Sequence, residues 1–220
     1  MIKAALGFVF AIISAVPATS AAPCPSSLVI DNFSSGQYAA ILTPDGRLVM
    51  AVQRGSMIGG SRLTIFSGAV NQFHQRATLD IGPGDSSVMA IGAGIRVSHR
   101  LEAYYGFDLQ GDQIVPTPLN LDLSCFNKFR IHFDSNDLTG NFTMQVTAGN
   151  NPGNRAQYAL NVPGRATALP FVVDLPFSNF VPNAGSLPDF ADIDLIDIIS
   201  QSGSAIGAND YAITLIEALP

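Results

Sequence analysis

Apolar and polar residues alternate along much of this chain. The alternation is regular at 128–133 and 141–146, where every second residue is apolar. A period of two is typical of β-strands that bury one face and expose the other to water. More continuous apolar runs lie at 28–30, 88–91, 168–175 and 193–199. The pattern predicts about eleven strands and no long helix.

Turn-forming residues separate these strands. Gly, Pro, Asn and Asp cluster at 44–46, 82–85, 149–153 and 162–164. Many short strands about ten residues apart, with such turns between them, favour a two-sheet sandwich or a barrel over alternating strands and helices. The absence of an internal repeat of fixed length argues against a propeller or a β-helix. We therefore predict an all-β fold, a two-sheet antiparallel β-sandwich of the jelly-roll type.

The N-terminal segment 1–21 has the pattern of a secretory signal peptide. Lys3 precedes the apolar run 4–16, and the small residues 18–21 follow it. The run is about a dozen residues long, whereas a membrane-spanning helix needs roughly 20. We expect cleavage near Ala21, which leaves 22–220 as a single β-sandwich domain of a secreted, extracellular protein. The alternative, an N-terminal membrane anchor, would need a longer apolar run.

The predicted mature chain is acidic. Removing Lys3 with the leader changes the formal net charge from −6 to −7. Binding to nucleic acid or to an anionic membrane surface requires clustered positive charge, so neither is an expected partner. No segment after the leader is apolar over the roughly 20 residues that a membrane span requires.

Cys24 and Cys125 are the only cysteines, and both lie beyond the predicted leader. In an oxidising compartment an even pair is typically bridged. We expect a disulfide that closes a loop of about 100 residues and ties the N-terminal arm to the middle of the domain. The alternative is two separate buried thiols, because cysteine packs as a small hydrophobic residue.

Sequence motifs of common enzymes are missing. There is no Gly-x-Ser-x-Gly elbow, His-Glu-x-x-His pair, phosphate loop or dinucleotide fingerprint. The three histidines lack the spacing of zinc ligands. One enzymatic hypothesis is a jelly-roll polysaccharide lyase, in which Arg130 neutralises a uronate and His132 acts with Tyr104 or Tyr105 as base and acid. His132 is otherwise an outward-facing residue of an alternating strand.

Several short motifs resemble a group of secreted bacterial β-sandwich proteins. They are Val29-Ile30-Asp31-Asn32-Phe33-Ser34-Ser35-Gly36, Ile58-Gly59-Gly60-Ser61-Arg62, Tyr105-Gly106, Leu119-Asn120-Leu121-Asp122-Leu123-Ser124 and Asp189-Phe190-Ala191-Asp192-Ile193-Asp194. Members of that group are similar to galactose-binding and carbohydrate-binding jelly rolls, and many carry a C-terminal PEP-CTERM sorting tail. This sequence ends at Leu219-Pro220 without that tail, so surface anchoring by that route is not expected.

The resemblance implies a glycan site and a candidate cofactor. Arg62 is a candidate to hold a sugar hydroxyl or a uronate carboxylate through its planar donors, or else to pair with a carboxylate of the fold itself. Jelly-roll binding modules often hold a structural calcium ion between their first and last strands. That precedent implies Asp31 and Glu217 as calcium ligands, with the loop 189–197 as a second candidate.

These observations together predict a secreted, non-enzymatic protein that binds glycan or an extracellular protein partner. The predicted binding residues are Arg62, Tyr104, Tyr105, Arg130 and His132. Tyrosines are included because exposed aromatic rings form sugar-binding platforms and the chain has no Trp. The alternatives are a polysaccharide-active, lyase-like enzyme and a purely structural matrix protein.

Overall fold

The structure is a computed structural model that describes residues 24–43, 48–71, 74–83, 87–149, 152–165, 169–202 and 209–220. The predicted signal peptide, 1–21, lies outside these residues. Within them, no helix has the length and apolar character needed to cross a membrane.

The described residues form sixteen strands and three short 3-10 helices. The strands are β1 (Leu28–Asp31), β2 (Tyr38–Leu42), β3 (Val49–Arg54), β4 (Ser61–Asn71), β5 (Ala77–Pro83), β6 (Ser87–Ala93), β7 (Val97–Tyr105), β8 (Phe107–Gln110), β9 (Gln113–Pro116), β10 (Lys128–Asn136), β11 (Gly140–Ala148), β12 (Arg155–Val162), β13 (Phe171–Pro176), β14 (Val181–Pro182), β15 (Ile193–Ser202) and β16 (Tyr211–Leu219). The 3-10 helices are Ile58–Gly60, Pro152–Asn154 and Phe177–Asn179. No α-helix occurs in the described ranges, as the period-two pattern predicts.

Two seven-stranded antiparallel sheets contain fourteen of these strands. Sheet A has the order β13-β10-β16-β6-β5-β2, with β1 also paired to β16. Sheet B has the order β14-β12-β11-β15-β7-β4-β3. The remaining two strands, β8 and β9, form a separate hairpin.

The strand orders of the two sheets correspond position by position. Read across the sheets, the matching pairs are β13 and β12, β10 and β11, β16 and β15, β6 and β7, β5 and β4, and β2 and β3. Each pair is consecutive in the chain, so the chain repeatedly crosses from one sheet to the other. This is the winding of a jelly roll, and the predicted fold class is confirmed.

Alternating side chains fill the space between the sheets. On β10, Phe129, Ile131 and Phe133 point inward and are at most 2% exposed. Phe133 and Tyr211 each pack edge-to-face on Phe142, with ring centroids 5.1 and 5.2 Å apart. Fully burying one large apolar side chain contributes about 1.5–3 kcal/mol, so these inward rows are the main source of stability.

A disulfide joins Cys24 to Cys125, with the two Cα atoms 5.5 Å apart. It holds the segment before β1 against the segment before β10. The bridge predicted from the sequence is therefore present in the structure.

Candidate functional site

A buried ion pair connects the two sheets. Arg62 on β4 has no exposed surface, and its Nη1 donates to Oδ2 of Asp31 on β1 at 2.5 Å. Its Nη2 donates to the carbonyl oxygen of Gly36 at 2.8 Å, and its Nε to Oε1 of Gln53 at 3.2 Å. The hydroxyl of Tyr105 donates to the same oxygen of Asp31 at 3.0 Å.

This network corrects the prediction that Arg62 and Tyr105 contact a ligand. Both side chains are fully buried, so a ligand outside the sandwich does not reach them. Burial and then the Asp31 carboxylate raise the pKa of Tyr105, which keeps its phenol protonated as a donor. Arg62 has the alternative role, pairing with a carboxylate of the fold.

The predicted calcium pair also needs correction. Asp31 points into the core and is 1% exposed, whereas Glu217 lies on the outer face of sheet A beside His132. Two carboxylates on opposite faces of a sheet do not converge on one ion. Within the described ranges, no group of three or more His, Cys, Asp or Glu residues could hold a metal ion. Calcium binding stays a prediction without an assigned set of ligands.

The outer face of sheet A brings together two other predicted binding residues, Arg130 and His132, each with a carboxylate partner. Arg130 donates to both oxygens of Asp174, at 2.6 and 2.9 Å, and Lys128 adds a third contact at 2.8 Å. The hydrogen bond from Arg130 is the main reason that the pKa of Asp174 falls to about 2. His132 Nε2 lies 2.8 Å from Oε1 of Glu217.

The residues of the lyase hypothesis are not brought together. Arg130 and His132 lie on the outer face of sheet A, Tyr105 lies in the core, and Tyr104 lies on the outer face of sheet B. The sheets of a sandwich pack about 10 Å apart, so the core separates Tyr104 from the other two. The structure thus corrects this grouping of base, acid and arginine.

The outer face of sheet B carries a row of polar side chains, which we call the polar row. It consists of Gln157, Gln145, Asp197 and Tyr104, on β12, β11, β15 and β7 respectively. These residues are direct cross-strand partners: Gln157 with Gln145, Gln145 with Asp197, and Asp197 with Tyr104. Four neighbouring strands spaced about 4.8 Å apart give the row a length of roughly 14 Å. Gln157, Gln145 and Tyr104 are half-buried, whereas Asp197 is buried between its neighbours.

Alternation along the strands places the polar row on the outside. Ile196 and Ile198, on either side of Asp197, are at most 2% exposed and lie in the core. Met144 and Val146 flank Gln145 in the same way. Within the row, Nε2 of Gln145 donates to Oε1 of Gln157 at 3.0 Å.

The hairpin β8–β9 bounds the polar row at its Tyr104 end. Gly106 turns the chain out of β7 with φ of 105°, and a Cβ there would lie 2.5 Å from a backbone oxygen, so only glycine fits. The next residue, Phe107, packs edge-on against Tyr104 with centroids 5.9 Å apart. Arg54 anchors the hairpin to β3 by donating to Asp108 at 2.9 Å. The Tyr104 ring is therefore held in place from the side.

A second polar chain runs along β7 beside the row. The hydroxyl of Tyr104 donates to Oε2 of Glu102, and Nε of Arg100 donates to Oε1 of the same carboxylate at 2.6 Å. Burial, followed by the hydrogen bond to Glu102, raises the pKa of Tyr104. The phenol is consequently a protonated, oriented group at physiological pH.

Asp197 is the buried member of the polar row. It is 2% exposed, and its Oδ1 has no hydrogen-bond partner within the described part of the chain. Burial raises the pKa of Asp197 to about 7, with a smaller lowering effect from Arg155 and a raising effect from Glu102. Removal from water disfavours the charged form of a carboxyl, which accounts for the direction.

The sequence predicts Tyr104 as a binding residue but neither Gln145 nor Gln157, and it includes Asp197 only as the last residue of the candidate calcium loop 189–197. Asp197 falls in the run 193–199, which reads as one continuous apolar strand. A polar residue between two isoleucines is the signal that marks its outward position. Gln145 occupies an outward position of the alternating segment 141–146, and only the register with β12 and β15 shows that it meets Gln157 and Asp197.

No family model matches the chain, and no curated protein matches it in sequence. The family resemblance inferred from the sequence motifs therefore stays a prediction.

Solved structures of similar shape include carbohydrate-binding modules. A family 11 module of a cellulosomal cellulase from Clostridium thermocellum is 12% identical over 88% of this chain and 94% of its own, with a TM-score of 0.40. A solution structure of CtCBM11 is 12% identical over 94% of this chain and 98% of its own, with a TM-score of 0.41. TmCBM61, solved with β-1,4-galactotriose, is 9% identical over 80% of this chain and 88% of its own, with a TM-score of 0.31. At these scores the likeness assigns no function to this chain.

Proposed function

We propose that this protein is a secreted, non-enzymatic β-sandwich that binds polysaccharide through the polar row of sheet B. The row itself supports the proposal most directly: the half-buried side chains of Gln157, Gln145 and Tyr104 face outward in register across the sheet, and Asp197 is buried between Gln145 and Tyr104. A polymer lying across the strands would meet the two glutamine amides and the Tyr104 phenol.

The chemistry of the row suits sugar hydroxyl groups. Each amide of Gln145 and Gln157 offers both donors and acceptors, and the Tyr104 phenol adds a hydroxyl group. Sugar hydroxyls likewise donate and accept, so paired contacts can form without a fixed charge on the ligand. Tyr104 adds an apolar ring face held by Phe107.

The outer face of sheet A supports a different role. Lys128 and Arg130 share Asp174, and His132 contacts Glu217, so each of these three side chains already has a carboxylate partner. Recruiting these groups to a ligand would require breaking those contacts first. We therefore interpret this face as one stabilised by cross-strand ion pairs.

Secretion is supported by two independent features. The leader at 1–21 has the order of charge, apolar run and small residues that is typical of a signal peptide. The Cys24–Cys125 bridge is of the kind that persists in oxidising compartments.

A glycan array tests the proposal. The mature protein, 22–220, is applied to neutral plant, algal and bacterial polysaccharides, together with Gln145→Ala and Asp80→Ala variants. Asp80 is exposed on the outer face of sheet A, so it is the matched control. We expect retention of wild type and of Asp80→Ala on the same glycans, and weaker retention of Gln145→Ala.

Circular dichroism and thermal melting confirm that each variant is folded. Equal binding by Gln145→Ala and wild type would remove the site from the polar row. Absence of binding to every glycan would favour an extracellular protein partner or a structural matrix role.

A further inference from the structure

We propose that Arg100, on the outer face of sheet B, binds the carboxylate of an acidic sugar. The polysaccharide class selected by this face is then a mainly neutral chain with isolated uronate residues. This inference rests on the proposed function, because it names a sugar class for the same face of the sandwich. It predicts that a uronate-bearing glycan binds more tightly than the same glycan without its negative charge.

A second row of outward side chains lies parallel to the polar row. It consists of Asn161, Asn141, Gln201 and Arg100, on β12, β11, β15 and β7 respectively, and we call it the second row. These residues are direct cross-strand partners in that order. Each lies four residues along its strand from a member of the polar row, which separates the two rows by roughly 14 Å. Amide side chains therefore border this face on both sides.

The second row is more exposed than the polar row. Its two asparagines and Gln201 are exposed, and the side chain of Arg100 is 41% exposed. Alternation accounts for the direction of Arg100, because His99 and Leu101 on either side of it are 1% exposed and lie in the core. A ligand on the outer face of sheet B therefore reaches the second row without any opening of the sheet.

Short or apolar side chains lie between the two rows. Ala159, Thr143 and Ile199 are cross-strand partners at the middle position of β12, β11 and β15. This strip offers contact to the apolar C–H faces of sugar rings. The amides on both sides of it offer donors and acceptors to the hydroxyl groups at the ring edges. The strip and its borders suit the neutral residues of a polymer.

Glu102 leaves most of the Arg100 guanidinium available. Nε of Arg100 donates to Oε1 of Glu102 at 2.6 Å, and the Tyr104 hydroxyl donates to the other carboxylate oxygen. A guanidinium has five N–H donors, and the four on Nη1 and Nη2 donate to no described residue. Their planar arrangement matches a carboxylate, which can accept two parallel hydrogen bonds.

The cross-strand neighbours of Arg100 are neutral donors. Gln201 on β15 and Ser67 on β4 are its partners on the two sides. Neither carries a charge that would repel an anion, and both an amide and a hydroxyl can donate to one. Arg130 differs, because Asp174 already accepts from its Nε and Nη2. Arg100 is therefore better suited than Arg130 to bind the carboxylate of a ligand.

The net charge of the chain favours a sparsely charged polymer. The formal net charge of −6 becomes −7 without Lys3, and it repels a polymer with a carboxylate on every residue. A single carboxylate at Arg100 gains a short-range ionic contact with much less repulsion. The expected ligand is thus a glycan with occasional uronates and not a polyuronate.

The first test compares glycans that differ in charge. Glucuronoxylan, gum arabic and xanthan are each printed beside the carboxyl-reduced form, in which every uronate is a neutral hexose, and the array is titrated with protein. Wild type should bind the acidic form roughly three- to tenfold more tightly than the reduced form. Arg100→Gln should bind both forms equally, and Arg100→Lys, which keeps the charge but not the planar donors, should keep part of the preference.

Arg76→Gln is the matched control. Arg76 is exposed in the segment before β5, so its substitution removes the same charge away from the second row. We expect this variant to keep the wild-type preference. Circular dichroism and thermal melting establish that each variant is folded.

The second test does not depend on the backbone of the polysaccharide. The Nε signal of Arg100 is followed by NMR while methyl β-glucuronide or methyl β-glucoside is added to wild type. We expect the glucuronide to shift this signal and the glucoside to leave it unchanged. No shift with the glucuronide, or equal shifts with both sugars, would overturn the assignment of Arg100.

These tests separate the carboxylate site from the proposed function. Equal binding of the acidic and reduced forms by wild type, or a preference that persists in folded Arg100→Gln, would overturn the site at Arg100 while leaving glycan binding intact. Failure of wild type to bind any acidic, reduced or neutral glycan would contradict the proposed function and this inference together.

Discussion

Replacing Arg62 by methionine isolates the contribution of the buried ion pair. Methionine keeps the unbranched apolar stem, so Arg62→Met removes the guanidinium without leaving a large cavity. The structure places the guanidinium against Asp31 at 2.5 Å with no exposed surface on Arg62. The substitution therefore leaves a carboxylate in the core without its counter-charge.

The expected loss follows from that geometry. Breaking a buried pair by removing one partner costs about 3–5 kcal/mol, because the other charge stays buried and uncompensated. Asp31 keeps two other donors, the backbone N–H of Phe33 at 2.8 Å and the hydroxyl of Tyr105 at 3.0 Å, which favours the lower end. For a domain of this size the same loss lowers the melting temperature by roughly 6–20 °C.

A double-mutant cycle shows whether the charge is the cause. Urea unfolding at pH 7 gives the free energy of unfolding for wild type, Arg62→Met, Asp31→Asn and the double variant. In the double variant no buried charge is left. The asparagine oxygen can still accept from the backbone N–H of Phe33, and its amide nitrogen can donate to the hydroxyl oxygen of Tyr105. We expect it to recover more than half of the loss seen in Arg62→Met.

Two results would contradict a stabilising role for the Arg62–Asp31 charge pair. A loss below about 1 kcal/mol in Arg62→Met would show that the pair is no stronger than an exposed one. Additive losses in the double variant would show that the guanidinium acts through its bonds to Gly36 and Gln53 and not through Asp31.

Three further predictions follow from other parts of the molecule. Replacing Cys24 and Cys125 by serine should lower the free energy of unfolding by about 4–5 kcal/mol, because their sequence separation of 101 leaves a long loop unrestrained; a loss under about 1 kcal/mol in urea would contradict this. Burial lowers the pKa of His99 to about 4, below its value of about 6.5 in an unfolded chain, so the unfolded state binds the proton first as the pH falls. The contribution of His99 to the free energy of unfolding is complete above pH 6.5 and declines as the pH falls toward 4. His99→Phe does not lose this contribution, so its free energy of unfolding should rise by about 3 kcal/mol relative to wild type between pH 6.5 and pH 4. A difference between the two proteins that stays constant over this pH range would argue against the lowered pKa of His99. Purified mature protein should release no unsaturated product from alginate, pectate or glucuronan, since Arg130 and His132 are engaged with carboxylates; product absorbance that vanishes in a folded His132→Ala variant would establish a lyase.

Much of the fold could be predicted from local pattern alone. The alternation at 128–133 and 141–146 corresponds to β10 and β11, with every second residue in the core. The cysteine count and the secretion predicted from the leader were enough to predict the Cys24–Cys125 bridge. These features depend on residues close in sequence, or on a pair with no competing partner.

The candidate site was harder to predict from the sequence because it depends on the register between strands that are distant in the chain. Tyr104 and Asp197 are neighbours only because β7 pairs with β15, which no local pattern encodes. Arg62 follows a glycine turn and has the type of side chain expected in a glycan site, yet its strand position directs it inward to Asp31. One residue of register separates an inward from an outward side chain, so residue type alone does not decide a role.

Mapping a bound glycan by NMR distinguishes the two outer faces of the sandwich as the binding surface. An oligosaccharide of a glycan retained on the array is added to isotope-labelled mature protein, and the chemical shifts of backbone and side-chain amides are followed. We expect the largest changes to centre on Gln145, Gln157 and the neighbours of Tyr104, on the outer face of sheet B. Changes centred on Arg130 and His132, on the outer face of sheet A, would contradict glycan binding at the polar row.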